Sequence, residues 1–234
     1  MTEVSYEKRK GELKTYFDRT AKDKWVALTS NSPVSRIRET VRAGREEMRN
    51  TLLDWLPGDL SGFRILDAGC GTGALSIEAA RRGAQIVAID ISPELISEAS
   101  KRLPNDVDPT MIDFRSGDMA NPDLGTFDYV VAMDSFIHYP LPSMANLIAH
   151  MASRTRHGLL FTFAPKTPAL SAMKAIGKIF PQNDRSPAIE PVAEKALVTA
   201  IESSMTHDFG FRVNRRRFVS TAFYKSQAME LISI

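Results

Sequence analysis

One cysteine in 234 residues, Cys70, excludes an intrachain disulfide and suits a reducing compartment. Long apolar runs are missing as well: nothing approaches the ~18 uninterrupted residues of a spanning helix, and the charged start Met1-Thr2-Glu3 does not resemble a signal peptide. A cytoplasmic location is the expectation. Histidine is scarce, and three of the four, His150, His157 and His207, show no metal-ligand spacing among themselves, so no metal site is expected. Nor is charge of one sign concentrated. The net value is +2, and although the first fifty residues carry twelve Lys and Arg against eight Asp and Glu, that excess is too thin for the basic stripe of a nucleic-acid binder. It suits a solvated helix face, or attraction of an anionic substrate or a membrane surface.

What is present is an ordinary globular composition, 43% hydrophobic and 25% charged, in a length that suits one α/β domain with additions. Between Ser5 and Leu56, apolar residues such as Phe17, Trp25, Val41, Met48 and Leu52 recur at three- and four-residue steps among charges, which predicts helices, with a break at Asn31-Ser32-Pro33. Pro57-Gly58 stops the second helix. We read residues 1–56 as a helical arm that serves as a lid, and residues 57–234 as the main domain. Within it, strand-like runs at 64–67, 85–90, 111–115, 129–133 and 159–163 alternate with helical patterns at 74–80, 93–103 and 143–153. A helix near 193–204 and two strand-like pieces at 212–219 and 222–225 close the chain. The expected fold is α/β and Rossmann-like, a mostly parallel seven-stranded sheet flanked by helices. Residues 165–192, rich in proline, read as a cap insertion over the carboxyl edge of the sheet, where open α/β sheets bind ligands.

The turn Asp67-Ala68-Gly69-Cys70-Gly71-Thr72-Gly73 joins the first strand directly to a helix. Glycines there permit tight turning and close approach of a ligand to main-chain groups. Its GxGxG spacing differs from GxGxxG, and Asp67 sets a carboxylate beside the turn, which suits a ligand bearing an amino group and a sulfonium better than a pyrophosphate. Asp90, at the end of the second strand, lies at the ~20-residue offset of an acceptor for two ribose hydroxyls. Asp118 is placed to meet the exocyclic amine of adenine. These residues imply a class I methyltransferase using S-adenosyl-L-methionine, with Cys70, Ile91, Met119 and Met133 grouped with them as cofactor-binding candidates. Each carboxylate also has a plain structural reading, as a turn or helix cap.

Met133 to Pro140, which contains Ile137-His138-Tyr139-Pro140, read together with Phe163-Ala164-Pro165-Lys166-Thr167, resembles the magnesium protoporphyrin IX O-methyltransferase family of bacteriochlorophyll and chlorophyll synthesis. The likeness extends to Tyr16-Phe17-Asp18-Arg19-Thr20-Ala21 and Trp25 in the arm and to Ile176-Gly177 and Phe180-Pro181. It implies methylation of one propionate of a magnesium porphyrin, giving the monomethyl ester. It also implies handover from the large subunit of magnesium chelatase and peripheral contact with the photosynthetic membrane. His138 follows the fourth strand, where substrate meets cofactor, and either hydrogen-bonds the propionate or ties down its loop. Tyr139 and Tyr16 are candidates to orient the same carboxylate, and Arg36 and Lys166 to pair with the second propionate. Two other readings keep the same cofactor site: a methyltransferase for a phenol, quinone precursor or amine, and a cofactor-binding protein without turnover.

Overall fold

A computed structural model describes residues 3–20, 36–167, 189–205 and 210–234. Trp25, the break at residues 31–33, residues 176–181 and His207 lie outside the described residues, as does most of the expected cap insertion. Seven strands form one sheet: β1 (Arg64–Ala68), β2 (Gln85–Asp90), β3 (Ile112–Ser116), β4 (Phe127–Ala132), β5 (Thr155–Phe163), β6 (Phe211–Ser220) and β7 (Lys225–Ser233). Their order is β3-β2-β1-β4-β5-β7-β6. The first five strands are parallel, and β7 runs antiparallel to both β5 and β6. The chain has the class I methyltransferase fold.

The central strands are apolar on both faces, as a parallel sheet covered by helices requires. Neighbouring residues divide between the two sides, so that Leu66, Val130 and Leu159 join one buried cluster while Ile65, Val131 and Leu160 join the other. The first cluster is covered by α5 (Leu141–Ala152) and α6 (Glu194–Ser204), and Leu13 of α1 (Glu3–Thr15) reaches it. The second is covered by α2 (Arg36–Trp55) and α3 (Ala74–Arg81). On the β3 side, α4 (Pro93–Lys101) starts at the N-cap Ser92, whose hydroxyl accepts from the Leu95 amide. The expected arm therefore contains two unlike parts. α2 buries Met48, Leu52 and Leu53 in the core, whereas α1 runs into a short π-helical turn, Tyr16–Thr20, over the sheet's carboxyl edge.

One strand lies elsewhere than the sequence suggests. The last strand is expected at 222–225, but residues 221–224 form the turn and β7 follows, Lys225–Ser233. Its middle reads Ala228-Met229-Glu230, helix-favouring residues that tertiary pairing overrides. Glu230, 2% exposed, is tolerated because Arg215 and Asn214 of β6 both donate to its carboxylate. Arg215 also donates to the Trp55 carbonyl and lies over the Trp55 ring, which ties the end of α2 to the sheet.

α2 sits flush against the β6–β7 turn at Gly44. A Cβ there would stand 2.5 Å from Cδ1 of Tyr224, so only glycine lets that ring pass beneath the helix. Gly44→Ala is expected to destabilise the fold by about 1–3 kcal/mol through forced overpacking. Thermal unfolding monitored by circular dichroism should show Tm lowered by several degrees; an unchanged or raised Tm would mean that the helix shifts freely and is not locked at this point.

Candidate active site

β1 ends in Asp67 and Ala68, and the turn that follows is shaped by three glycines with positive φ: 82° at Gly69, 57° at Gly71 and 77° at Gly73. These are left-handed values that side chains disfavour. Gly69 is also a point of close approach, since a Cβ there would stand 2.5 Å from the Ser135 Cβ. Gly73 serves differently from the other two. It is the N-cap of α3, packed against Phe114 and Ala99, so it shapes the turn from behind and does not face the cavity.

The turn forms one wall of a cavity of about 230 Å³ at the carboxyl ends of β1, β2 and β4. Asp67, Gly69, Cys70, Gly71, Asp90, Ile91, Asp118, Met119, Met133, His138 and Tyr139 all line it. Asp67 is buried and accepts a 2.6 Å hydrogen bond from Ser76. Asp90 accepts from the amides of Gly71 and Ser92, both at 2.9 Å, one on each carboxylate oxygen. A carboxylate oxygen has room for a second donor, so a ribose diol can still be met. Removal from water pushes the Cys70 thiol well above its ordinary value, and the neighbouring Asp67 and Asp90 charges add to this, so Cys70 is a packed thiol and not a nucleophile.

Asp118 is occupied by the arm. Tyr6 donates to one of its oxygens at 2.7 Å, Lys10 to the other at 2.9 Å, and the Ala120 amide adds a third bond. Desolvation alone would raise this carboxyl, but Tyr6, Ala120 and Lys10 together hold it below the ordinary value. Tyr6 also stacks on Tyr139, centroids 5.5 Å apart, and Asp18 accepts from the Ser92 hydroxyl at 2.6 Å. The arm is thus fastened to the loops after β2 and β3. His138, on a short 3-10 turn after β4, is buried with its ring edge-on to Phe17.

Three expected residues stand elsewhere. Tyr16 packs edge-on against Phe17, and it is Phe17 that faces the cavity. Arg36 is the exposed first residue of α2, and Lys166 is exposed with its amide bonded to the Val192 carbonyl. Neither lines the cavity, because long cationic side chains at element ends gain more from water. The cations that do line it are Lys10 and, from one face of α2, Arg42, Arg45 and Arg49. Their i, i+3, i+7 spacing is visible in the sequence, but which face of α2 turns inward follows from its burial of Met48 and Leu52. Asp134 and Ser135, in the loop after β4, also line the cavity, and no spacing in the sequence points to them.

Residues 132–233 match the model of the magnesium-protoporphyrin IX methyltransferase C-terminus, and residues 65–158 that of a methyltransferase domain. The chain is 44% identical over 226 residues to magnesium-protoporphyrin O-methyltransferase of Rhodobacter capsulatus, covering 96% of this chain and 97% of that one. It is 32% identical to the chloroplastic magnesium protoporphyrin IX methyltransferase of Arabidopsis thaliana, covering 94% of this chain and 70% of the other. The crystal structure of magnesium protoporphyrin IX methyltransferase from Synechocystis PCC 6803 with bound SAH superposes with a TM-score of 0.83 at 30% identity, covering 96% of this chain and all of that one.

Burial raises both carboxyls on the glycine-turn side. Loss of water is the main cause for each, against the opposing hydrogen bonds, and it pushes Asp67 up to about 7 and Asp90 to about 6 from an ordinary 3.8. Without ligand the folded chain holds these protons more tightly than the unfolded chain does. Their contribution to stability is therefore largest below about pH 4 and declines as pH rises through 6 and 7. A ligand with a positive charge and hydroxyl donors binds the ionised forms, so its affinity rises with pH over the same window. Calorimetric titration with S-adenosylmethionine at pH 6, in two buffers of different ionisation enthalpy, should show proton release, with tighter binding at pH 8 than at pH 5.5. Asp90→Ala should weaken binding by about 1–3 kcal/mol. A dissociation constant indifferent to both pH and this substitution would remove these carboxylates from the cofactor site.

Proposed function

The chain belongs to the magnesium-protoporphyrin IX O-methyltransferase family, and from that premise we propose how its own residues carry out the methylation. It is a methyltransferase that uses S-adenosylmethionine to methylate magnesium protoporphyrin. The observation that carries the site assignment is the joint position of Asp67, Gly69, Gly71 and Asp90 on one cavity with His138 and Tyr139. The proposed cofactor site is the glycine turn with Asp67, Asp90 and Asp118, supported by the apolar Ile91, Met119 and Met133. Arg49 lies at the end of the arginine face nearest Thr72 and Ala74 and is the natural partner for the methionine carboxylate.

When bound, the cofactor supplies a methyl group on a sulfonium: a lone pair of the propionate oxygen forms the C–O bond, the C–S bond breaks onto sulfur, and no proton moves. A propionate with an unperturbed pKa near ~4.3 is already ionised at neutral pH, so the protein's task is alignment and exclusion of water. At about 230 Å³ the cavity is too small to enclose cofactor and macrocycle together. The reacting propionate enters, and the macrocycle lies across the mouth under the arm. Tyr6, Phe17, His138 and Tyr139 make the aromatic wall that keeps water away, and His138 orients the carboxylate by a hydrogen bond. In this reading residues 1–56 are the arm, with α1 the moving part, and residues 57–234 the methyltransferase domain.

No helix among the described residues is long and apolar enough to cross a membrane. The proposed place is the cytoplasm, in peripheral contact with the photosynthetic membrane, where a poorly soluble porphyrin is best received directly from the large subunit of magnesium chelatase.

His138→Ala is expected to lower turnover roughly 10- to 1000-fold without abolishing it, as loss of one well-placed interaction does. His138→Gln, which keeps a donor, should recover part of that loss. With magnesium protoporphyrin at saturating cofactor, the pH profile should be shallow on its alkaline side, because the nucleophile needs no base. A steep rise through the histidine range that vanishes in His138→Ala would instead mark an obligatory base and point to a phenol or amine as substrate.

A further inference from the structure

The arginine face of α2 is graded along the cavity. At ~1.5 Å rise per residue, Arg42 lies roughly 10 Å further out along the helix than Arg49, with Arg45 between them. Arg49 marks the cofactor end, because it shares a second small cavity with Thr72 and Ala74 at the glycine turn. Arg45 is held by an ion pair with the loop after β4. Its guanidinium donates at 2.5 Å to Asp134, the first loop position but one after β4. Asp134 has φ of 54°, a strained value for a side-chain-bearing residue, and its carboxylate also accepts from Tyr224 (3.0 Å), Thr162 (3.2 Å) and Ser226 (3.3 Å). That is more support than a surface ion pair would need, and its effect is to fix the direction of a group bordering the cavity.

Resting on the function proposed above, the substrate has two propionates that leave the same edge of the macrocycle. The reacting one should not pair with a guanidinium, because a strong charge-assisted bond stabilises the carboxylate more than the less charged transition state it becomes. The other has no such restriction. We propose that Arg45, positioned by Asp134, together with Arg42 on the same face of α2, anchors the second, unreacting propionate, and that this anchor makes the enzyme stop at the monomethyl ester. For a second methylation the product must rebind turned over, with its neutral ester against Arg42 and Arg45. The guanidinium groups would then lose water without gaining a carboxylate, which disfavours that complex. Recognition of a free second carboxylate and refusal of the monoester are one property of the same pair of arginines.

The test compares magnesium protoporphyrin IX with its monomethyl ester as substrates for wild type, Arg45→Gln, Arg45→Lys and Arg42→Gln, separating monoester and diester by chromatography and measuring S-adenosylhomocysteine affinity by calorimetry. The wild type should act strongly on the diacid and scarcely on the monoester. Arg45→Gln should lower kcat/KM for the diacid roughly 10- to 100-fold, mainly through KM, as loss of a hydrogen bond to a charged group does. It should not lower the rate on the monoester, since the desolvation that disfavours the ester is relieved, and should keep S-adenosylhomocysteine affinity within about twofold, so that the preference narrows. Arg45→Lys should restore part of the preference. Arg42→Gln, which keeps the Arg45–Asp134 pair, should narrow it in the same direction and so tests the anchor even if Arg45→Gln folds poorly. Equal losses on both substrates, lost S-adenosylhomocysteine affinity in a folded variant, or an unchanged preference would overturn the proposal. A wild type that binds S-adenosylhomocysteine but methylates neither porphyrin would overturn the substrate reading itself, and the anchor with it.

Discussion

The arrangement of this molecule depends on one buried carboxylate. Asp134 accepts hydrogen bonds from Arg45 of α2, Tyr224 of the β6–β7 turn, Ser226 of β7 and Thr162 of β5, while its own amide donates to the Thr162 hydroxyl at 2.7 Å. Burying a carboxylate costs several kcal/mol unless it is paired and hydrogen-bonded, so these donors are obligatory once the residue is inside. Each comes from a different element, and together they fix the loop after β4 against the helix that precedes β1 in the chain. Gly44 is the steric condition for this network, because the Tyr224 ring reaches Asp134 only where α2 lacks a side chain. Together with the burial of Met48 and Leu52, the same contact fixes which face of α2 looks into the cavity, and so which arginines line it.

The carboxylates on the other side of the cavity are balanced differently. Asp67 and Asp90 have few donors for their depth, and desolvation raises both towards neutrality, whereas Asp118 is met by Tyr6, Lys10 and the Ala120 amide and is held down. Asp67 and Asp90 are thus a reserve of unfavourable burial that a cationic, hydroxyl-bearing ligand relieves. Asp118 is already satisfied by the arm. Any further donor reaching Asp118 competes for its oxygens with Tyr6 and Lys10 or shares them, so occupancy of that carboxylate and the position of the arm are linked. The stacking of Tyr6 on Tyr139 passes the link on to the segment that carries His138.

Legibility in the sequence followed locality. The β1–turn–α3 unit and Asp90 are written within about two dozen consecutive residues, where glycine conformation, strand pattern and helix start constrain one another. β2 was read at its observed bounds for the same reason. β7 was not, because its Glu230 and helix-favouring neighbours form a strand only between two others, with Arg215 supplying the counter-charge. His138 and Tyr139 were found through the Ile137 to Pro140 stretch, and the structure places both on the cavity. Arg36 and Lys166 are cations near the right elements, but nothing local says whether such a side chain turns inward. That is settled for Arg42, Arg45 and Arg49 by distant contacts: the core under Met48 and Leu52, and the pull of Asp134.

These distances between cause and effect bear on how a carboxylate is made to react. Attack of an anion on a sulfonium destroys two charges, so water, which stabilises both reactants, opposes it more than it helps, and a site gains by withholding solvation from the reacting pair. Donors are still needed to bind a dianionic substrate. The two demands conflict if they fall on the same carboxylate and are compatible if they fall on different ones. The cavity lining holds both kinds of group, aromatic rings from the arm and the loop after β4 together with the arginine face of α2. A rigid boundary between the two keeps the arginine face of α2 in register. Asp134, strained and held by four side chains, supplies that boundary, which accounts for placing a buried ionic group at a position where an apolar residue would be easier to accommodate.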